Sequence, residues 1–312
     1  MKMKISRFRI TPVSVILLFA PIVIILYLLK IWIGLTLFLA FSTAVIYLLG
    51  EKKEEFTFII FSLLGLLLVV FILLPVSELI YAALPELDRV LSDPKALNSI
   101  FISLTAALSA TFIGLLFGIP LSYVLARRDF PGKSFVEGMI DLPMVVPHTV
   151  AGIALLVVFG RHGSVGSPLN AAGINFVDAF PGIVVAMLFV SIPFIVNQVR
   201  EGFEDVDPRL EQVAMSLGAD RKKTFLTISF PLVKRNIVSG GVMAWARAIS
   251  EFGAVVVIAY FPMSAPVYIY ETFLQKGLFA ARPIAALLLL ITLSIFITLR
   301  TITRRFSLYD RD

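Results

Sequence analysis

Long uninterrupted apolar runs constrain this chain more than any other feature of its sequence. A segment needs about 20 apolar residues to cross a hydrocarbon core of about 30 Å. Inside lipid the backbone N–H and C=O groups must be paired within the segment, so such runs fold as helices. With 59% hydrophobic and 15% charged residues, the sequence predicts an all-α integral membrane protein with about eight transmembrane helices. The predicted spans are residues 12–29, 31–49, 56–75, 99–126, 139–160, 180–199, 237–260 and 283–301.

The first run could instead belong to a signal peptide, because Lys2, Lys4, Arg7 and Arg9 precede it. It is too long for the core of a signal peptide, and it lacks an obvious small-residue cleavage site. We therefore expect residues 12–29 to be retained as a membrane anchor.

Lysine and arginine residues are distributed unevenly between the predicted loops. With the N-terminus in the cytoplasm, most of the 27 Lys and Arg residues fall in cytoplasmic segments. Because cytoplasmic loops carry the excess of positive charge, this bias places both termini and residues 200–236 in the cytoplasm. The predicted outer loops keep Lys30, Arg89, Lys95, Arg161, Lys276 and Arg282, and Arg247 lies within a span.

Residues 200–236 form the only long polar segment between the runs, and we refer to this segment as the knob. Asp207 suits a helix N-cap, and Pro208 suits the first helical position. Gly218 predicts the end of this helix, and Asp220 predicts the cap of a second helix that stops at Pro231. One face of the first helix is apolar at helical spacing, with Leu210, Val213, Ala214 and Leu217. Such a knob between two membrane spans predicts a binding surface for another molecule.

Two oppositely charged residues lie four apart in the predicted span 237–260. Arg247 and Glu251 share one helix face and are able to pair. Charged residues inside spans usually face protein or a water-filled path. Two interpretations remain open: a structural ion pair, or a path or gate that includes Ser250, Phe252 and Gly253.

Prolines and polar residues also interrupt two other predicted spans. Their broken backbone is tolerated only beside protein or a cavity, so either a packed kink or the lining of a path is possible. His148 and His162 lack the carboxylate spacing of a metal site, and none is predicted. The interrupting residues are Asp141, Pro143, Pro147 and His148 in one span and Ser191, Pro193 and Asn197 in the next.

Several kinds of chemistry have no motif in this sequence. It contains no HExxH, no GxSxG and no Walker A sequence, so the chain is not expected to hydrolyse ATP by that route. With no cysteine, it has no disulfides, thiolate metal sites or cysteine nucleophiles. The net charge of +6 comes from residues beside spans, and no nucleic-acid partner is predicted. A transporter with these properties needs a separate source of energy.

The knob resembles the signature of permease subunits of type I ABC importers, E-A-A–x3–G–x9–I-x-L-P. The matching residues are Gln212-Val213-Ala214, Gly218 and Ile228-x-Phe230-Pro231; the sequence departs from the signature at Gln212, Val213 and Phe230, and Glu211 could supply the carboxylate. The resemblance implies that the knob is a coupling helix that docks into a groove of an ATPase subunit. The implied coupling residues are Pro208, Leu210, Glu211, Gln212, Ala214, Leu217, Gly218, Ala219, Asp220 and Arg221.

A second stretch resembles permeases for tetrahedral oxyanions, the molybdate, tungstate and sulfate group. Residues 245–254, WARAISEFGA, are similar to A-R-A-L-G-E-F-G-A, and residues 131–133 and 141–147 also fit that group. Residues 259–263 favour molybdate or tungstate over sulfate. The resemblance covers residues 56–312 as a six-helix permease core and leaves residues 1–55 as an N-terminal membrane hairpin.

The resemblance also implies an assembly and a mechanism. The partners would be a second copy of this chain, two ATPase subunits that bind ATP and Mg, and an extracytoplasmic oxyanion-binding protein, all at the plasma membrane. This chain itself would be a transport subunit without a cofactor, and its path would be lined by small and hydroxyl residues. Glu251 is expected to gate or brace the path and not to bind an anion. The path or gate candidates are Ser250, Glu251, Phe252, Gly253, Ser191, Pro193, Pro147 and His148.

Two alternatives remain open. One is an ABC permease for sulfate or another small solute, such as phosphonate, thiamine or iron. The other is a secondary transporter in which Asp141, His148 and Glu251 relay protons without an ATPase.

Overall fold

The computed structural model describes residues 53–309 of the chain. The predicted spans 12–29 and 31–49, and almost all of the predicted hairpin 1–55, lie outside these residues. The chain divides into two compact units, residues 1–81 and residues 82–312. Regular secondary structure within the described range is helical throughout.

The described helices are numbered here in chain order. They are α1 Lys53–Ala83, α2 Leu87–Leu91, α3 Pro94–Arg127, α4 Lys133–Val145, α5 His148–Phe159, α6 Gly166–Ala171, α7 Phe180–Asp205, α8 Pro208–Ser216, α9 Arg221–Thr224, α10 Phe230–Ile249, α11 Gly253–Ile258, α12 Ala265–Lys276 and α13 Leu278–Tyr309. A short 3-10 turn, Leu84–Glu86, joins α1 to α2, and a π-helical segment, Phe225–Ser229, joins α9 to α10.

Helix α1 belongs mainly to the first unit and extends the predicted span 56–75 at both ends. Pro75 lies inside the helix and does not end it. Its middle exposes large apolar side chains, among them Phe71 at 76%. An apolar helix surface of this kind is typical of a lipid-facing span, because hydrocarbon solvates it as well as protein does.

The second unit is built around three helices, α3, α7 and α10. Its core is rich in alanine and other compact residues, including Ala106, Ala110 and Ala248. On α10 a Cβ atom at Gly240 would lie 3.4 Å from the backbone O of Phe194 on α7. Small residues let membrane helices approach closely enough for their backbones to pack. Gly240 therefore lets α7 and α10 pack closely.

The predicted span 139–160 is not one straight helix, because the chain bends by 115° between α4 and α5. The bend falls at Val146 and Pro147, and Val146 has extended backbone angles, φ −70° and ψ 129°. The proline ring disfavours a helical conformation in the residue before it and removes a backbone donor. The break is therefore a direct result of the sequence at Pro147.

The predicted span 237–260 is likewise not one continuous helix. Helix α10 ends at Ile249, and α11 begins only at Gly253. Glu251 accounts for the restart, because its Oε1 accepts a hydrogen bond of 2.8 Å from the backbone N–H of Ala254. A side-chain acceptor for an early N–H of a helix favours a new helix start at that point.

The described residues contain fewer membrane spans than the six helices predicted for the permease core. Four helical runs are long and apolar enough to cross a membrane, or five if the bent pair α4–α5 counts as one span. Helix α10 is not among them, and it carries Lys234, Arg235 and Arg247. The all-α membrane fold is confirmed, whereas the count of eight helices is not. The four runs are Leu67–Leu91, Pro94–Arg127, Phe180–Asp205 and Leu278–Thr301.

The second helix of the knob does not stop at Pro231, contrary to the prediction. Helix α9, the π segment and α10 form one continuous helical path from Arg221 to Ile249. In the π segment the N–H of Phe230 bonds to the carbonyl of Phe225, five residues earlier. A proline in an α-helix clashes with the carbonyl four residues before it, and the wider π turn relieves this clash for Pro231.

Candidate functional site

Helix α8 is the centre of the knob, and both helix starts in the knob, that of α8 and that of α9, have the predicted caps. The side chain of Asp207 accepts a hydrogen bond of 2.9 Å from the N–H of Arg209. After α8, the side chain of Asp220 accepts one of 2.6 Å from the N–H of Lys223 at the start of α9. These two carboxylates satisfy backbone donors that a helix start leaves free. Both predicted helix starts in the knob are confirmed.

Gly218 lies just beyond the end of α8 with a positive φ of 90°. Such a conformation is costly for residues with a Cβ atom and free of strain for glycine. Among the residues that the structure describes, apart from Gly218 and its two chain neighbours, no heavy atom lies within 4 Å of the position that a Cβ would occupy. The space beside Gly218 is therefore open, and the glycine is required locally by the backbone angle.

Three of the four residues of the predicted apolar face are exposed among the described residues, whereas the fourth, Ala214, is half-buried. Leu217 is 84% exposed, Val213 58% and Leu210 48%. Helix α8 is short and polar in its other positions, so it does not resemble a lipid-facing span. Exposed apolar patches with polar rims mark sites of association with other proteins. This face is the candidate docking surface.

Glu211 occupies the opposite side of α8 and is buried in the chain. Its Oε1 pairs with Arg127 Nε at 2.9 Å and accepts a hydrogen bond of 2.8 Å from the Ser229 hydroxyl. Its Oε2 accepts a hydrogen bond of 3.1 Å from the Tyr123 hydroxyl. One carboxylate thus ties α8 to the end of α3 and to the π segment.

Arg127 completes the attachment at the last residue of α3. Its guanidinium also donates to the backbone carbonyls of Phe203, at 2.6 Å, and Val206, at 3.0 Å, around the end of α7. These carbonyls lie at a helix end, where the last C=O groups lack partners inside the helix. Arg127 and Glu211 side chains are each 10% exposed, so the pair is largely shielded from solvent.

Aromatic rings pack beneath this ion pair. The rings of Tyr123 and Phe203 lie 5.2 Å apart at 73°, and those of Tyr123 and Phe225 lie 5.0 Å apart at 71°. Edge-to-face geometry at these distances is favourable for aromatic pairs. The ion pair and the rings together connect the knob to α3, to α7 and to the π segment.

A second polar cluster lies where the two helix breaks meet. Arg247 Nη2 donates to Glu251 Oε2 at 2.9 Å, and His148 Nδ1 lies 3.3 Å from the same oxygen. Glu251 is 1% exposed, whereas the side chain of His148 is 50% exposed. The predicted pair of Arg247 and Glu251 is therefore present, and it gains His148 from another helix. We refer to these three residues as the break cluster.

The packing around the break cluster holds α5 against α11. At Gly253 a Cβ atom would lie 2.6 Å from Cβ of His148, a contact closer than side chains allow. Ser250 is exposed beside the cluster, and its hydroxyl bonds to the carbonyl of Arg247 at 2.9 Å. The structure thus brings together four of the predicted path residues, His148, Ser250, Glu251 and Gly253.

The other predicted path residues are not all accessible. Ser191 and Pro193 are buried within α7, and the Ser191 hydroxyl bonds to the carbonyl of Leu188 at 3.3 Å. In the conformation described, neither lines an open surface of the chain. Phe252 is partly buried, and its ring packs against that of Tyr270 in a tilted arrangement, with centroids 4.9 Å apart. Pro147 is exposed at the α4–α5 bend.

Some residues at these sites could not be found from the sequence. Arg127 contributes only to the charge bias of a loop, and its partner Glu211 lies 84 positions later. Asp141 and Asn197, which the sequence marks as separate interruptions, form a hydrogen bond of 2.7 Å between α4 and α7. Glu137 and Arg200 add an ion pair of 2.8 Å between the same helices. No local pattern identifies such long-range pairs.

Residues 118–308 match the protein family described as binding-protein-dependent transport system inner membrane component. The chain is 43% identical over 256 residues to a protein named molybdate/tungstate transport system permease protein in Thermococcus kodakarensis, covering 81% of this chain and 98% of that protein. It is 45% identical over 256 residues to the protein of the same name in Pyrococcus furiosus, again covering 81% and 98%.

Among solved structures, the fold is similar to a chain of a bacterial ABC transporter involved in the import of the polysaccharide alginate. The TM-score is 0.65 at 17% sequence identity, and the match covers 83% of this chain and 99% of that chain. At this identity the likeness concerns the fold alone.

The attachment of the knob can be tested at Glu211. In Glu211→Ala the Arg127 guanidinium loses its carboxylate in a shielded site, and removing one partner of such a pair costs about 3 kcal/mol. We expect a lower thermal unfolding midpoint of the purified protein and faster proteolysis within residues 200–236. The matched control is Asp129→Ala, because Asp129 is 99% exposed in its 3.2 Å pair with Lys133 and such pairs contribute little. Equal proteolysis of the two variants would contradict the bracing role of Glu211.

Proposed function

This chain belongs to the family of binding-protein-dependent transport system inner membrane components, and from that premise we propose that it is the permease subunit of an ATP-driven importer for molybdate or tungstate. It is a multi-pass membrane protein and a transport subunit, and ATP hydrolysis in such importers belongs to a separate subunit. The observation that carries the proposal is the exposed apolar face of α8 on a helix braced from behind by Glu211.

The docking surface accounts for the ATPase partner. Leu210, Val213 and Leu217 are exposed and form an apolar helix face. A groove in a partner protein recognises such a face through residues spaced at helical intervals. Gly218 leaves open space beside the helix end, which permits the close approach of a partner. The excess of Lys and Arg supports a cytoplasmic position for the knob, where ATP and Mg are available to the partner.

The substrate proposal is supported by the two relatives, whose names specify molybdate and tungstate. The sequence WARAISEFGA, with its similarity to oxyanion permeases, forms the end of α10 and the start of α11 and contributes Arg247 and Glu251 to the break cluster. Delivery by an extracytoplasmic binding protein would supply the affinity, and a path through the membrane must bind weakly enough to release its cargo.

The break cluster supports a role as a gate or brace on the path. Glu251 is buried, pairs with Arg247 and caps α11, so its charge is used within the protein. A buried carboxylate that neutralises Arg247 prevents a fixed positive centre from trapping a dianion. We propose that α5 and α11 move as a pair when the core alternates between inward-facing and outward-facing states, with the cluster as their joint.

The alternating-access cycle then follows from the two sites. ATP binding would close two ATPase subunits and draw together the knobs of two copies of this chain. Because Glu211 and Arg127 connect α8 to α3 and α7, this movement would reach the membrane helices and open the path outward. Hydrolysis would return the core to its inward-facing state.

Uptake into proteoliposomes tests the function and the substrate together. With the cognate ATPase and binding protein, we expect ATP-dependent, vanadate-sensitive uptake of molybdate and tungstate. Sulfate and phosphate at equal concentration serve as competitors, because they carry the same tetrahedral geometry. Preferential competition by sulfate would move the substrate to sulfate, and uptake without ATP would exclude the ABC mechanism.

The docking surface can be tested with charge on α8. In Leu217→Asp a carboxylate replaces the most exposed leucine of the patch, and burying it against a partner without a counter-charge is costly. We expect loss of ATPase binding to inside-out vesicles that contain the variant, with its unfolding midpoint unchanged. Ser216→Asp adds the same charge one position away and is the matched control, for which binding should persist. Right-side-out vesicles should bind no ATPase in either case, and binding there would contradict the cytoplasmic position of the knob.

The joint at the break cluster can be tested with Glu251→Gln. The amide oxygen still accepts the N–H of Ala254, but the charged partner of Arg247 is lost, at a cost of about 1.5–3 kcal/mol for a hydrogen bond between charged groups. We expect at least about a tenfold decrease in uptake while the ATPase still binds. Glu204→Gln removes a carboxylate that is also four residues from an arginine, at 3.7 Å and 50% exposed, and it should transport normally. Normal uptake by Glu251→Gln would exclude the proposed joint.

A further inference from the structure

A cavity of about 410 Å³ lies between α7, α10 and α13. Two arginines line it, Arg235 near the start of α10 and Arg300 toward the end of α13. It is separate from the apolar face of α8, and none of the break-cluster residues is among those that line it.

The two guanidiniums have little internal compensation. Arg300 lies over the ring of Phe296, 5.9 Å from its centroid, and both arginines are exposed. Among the side chains that the structure describes, neither arginine forms an ion pair. No acidic residue is among the lining residues; Glu201, which accepts a hydrogen bond of 3.2 Å from the amide of Gln198, lies outside the lining. The lining therefore has a net positive charge.

Neutral donors complete the polar side of the cavity. Ser239 lies one turn after Arg235 on the same face of α10, and Gln198 reaches the cavity from α7. The close approach of α7 and α10 positions the backbone of Gln198, because the side-chain amide of Asn236 donates to the Gln198 backbone carbonyl at 3.3 Å. Guanidinium forks, a hydroxyl and an amide are the donors that recognise tetrahedral oxyanions such as phosphate.

The remaining wall is apolar and the location is interfacial. Val242, Met243 and Phe296 form this wall. Arg300 is the penultimate residue of the span Leu278–Thr301, so it lies at an end of a hydrocarbon-crossing segment. Basic cavities between membrane helices at the cytoplasmic side bind the head groups of anionic lipids, and an apolar wall next to the cations suits the start of an acyl chain.

From these observations we infer that the cavity lined by Arg235, Arg300, Ser239 and Gln198 is a binding site for a tetrahedral oxyanion. Its two possible sources are the phosphate head group of a membrane lipid and the free oxyanion in the cytoplasm. The inference rests on the proposed function only for the orientation that places Arg300 at the cytoplasmic interface. The apolar wall favours the lipid source, because a hydrated free anion has no use for it.

The test uses the purified permease–ATPase complex in a neutral detergent at constant ionic strength, so that general screening does not change. Dioctanoyl phosphatidic acid, dioctanoyl phosphatidylcholine, sodium phosphate and sodium molybdate are added separately. A ligand of the folded state raises the unfolding midpoint, and at tenfold excess over its dissociation constant the expected rise is about 2–4 °C. Native mass spectrometry counts the lipids that remain bound.

The double variant Arg235→Gln and Arg300→Gln is compared with Arg128→Gln and Arg209→Gln, which removes two exposed arginines outside the cavity. A midpoint rise with phosphatidic acid that is lost only in the first variant identifies a lipid site. A rise with phosphate or molybdate that is lost only in the first variant identifies a site for the free oxyanion. An equal response of both variants, or no response of the unmodified complex to any of these anions, would overturn the inference.

The outcome is separable from the transport proposal. If uptake requires ATP and selects molybdate but the midpoints do not depend on Arg235 and Arg300, only the oxyanion cavity is excluded. If phosphatidic acid binds through these arginines while uptake fails, the cavity stands and the transport proposal does not.

Discussion

The buried ion pair of Arg127 and Glu211 is the contact on which the arrangement of the cytoplasmic side depends. One guanidinium bonds to a carboxylate on α8 and to two carbonyls at the end of α7. The desolvation cost of such a pair is offset only when further hydrogen bonds satisfy both groups, and here Tyr123, Ser229 and the carbonyls do so. The exposed face of α8 is held in place because Glu211, on the buried side of the same helix, is bonded to α3 and to the π segment.

A second constraint is that the membrane helices break only where polar groups are available. The break after Ile249 is capped by Glu251, and the bend at Pro147 places His148 beside that carboxylate. Free backbone groups at membrane depth are costly unless protein or water satisfies them. The two interruptions therefore meet each other, and their polar residues form one cluster with one set of hydrogen bonds.

The sequence alone was sufficient for the all-α membrane class, the caps at Asp207 and Asp220, and the pair of Arg247 and Glu251, because each depends on local spacing. It failed where the determinants are distant or subtle. The continuous helix through Pro231 depends on a π turn that hydropathy does not report. The attachment of Glu211 to Arg127 depends on how α3 and α8 pack, which no pattern within either helix specifies. The sequence predicts one continuous helix through Glu251, because the hydropathy of an apolar run does not reveal the new helix start there.

The π segment Phe225–Ser229 joins the second helix of the knob, α9, to α10 without a break. Relative to a regular α-helix it holds one additional residue, and each residue turns a helix by about 100° and advances it by about 1.5 Å. In this phase the Ser229 hydroxyl reaches the Glu211 carboxylate. The length of the segment therefore sets the angle between the knob and α10. An insertion or deletion between Phe225 and Ser229 would change this angle, so we expect it to disturb the protein more than a substitution at the same place.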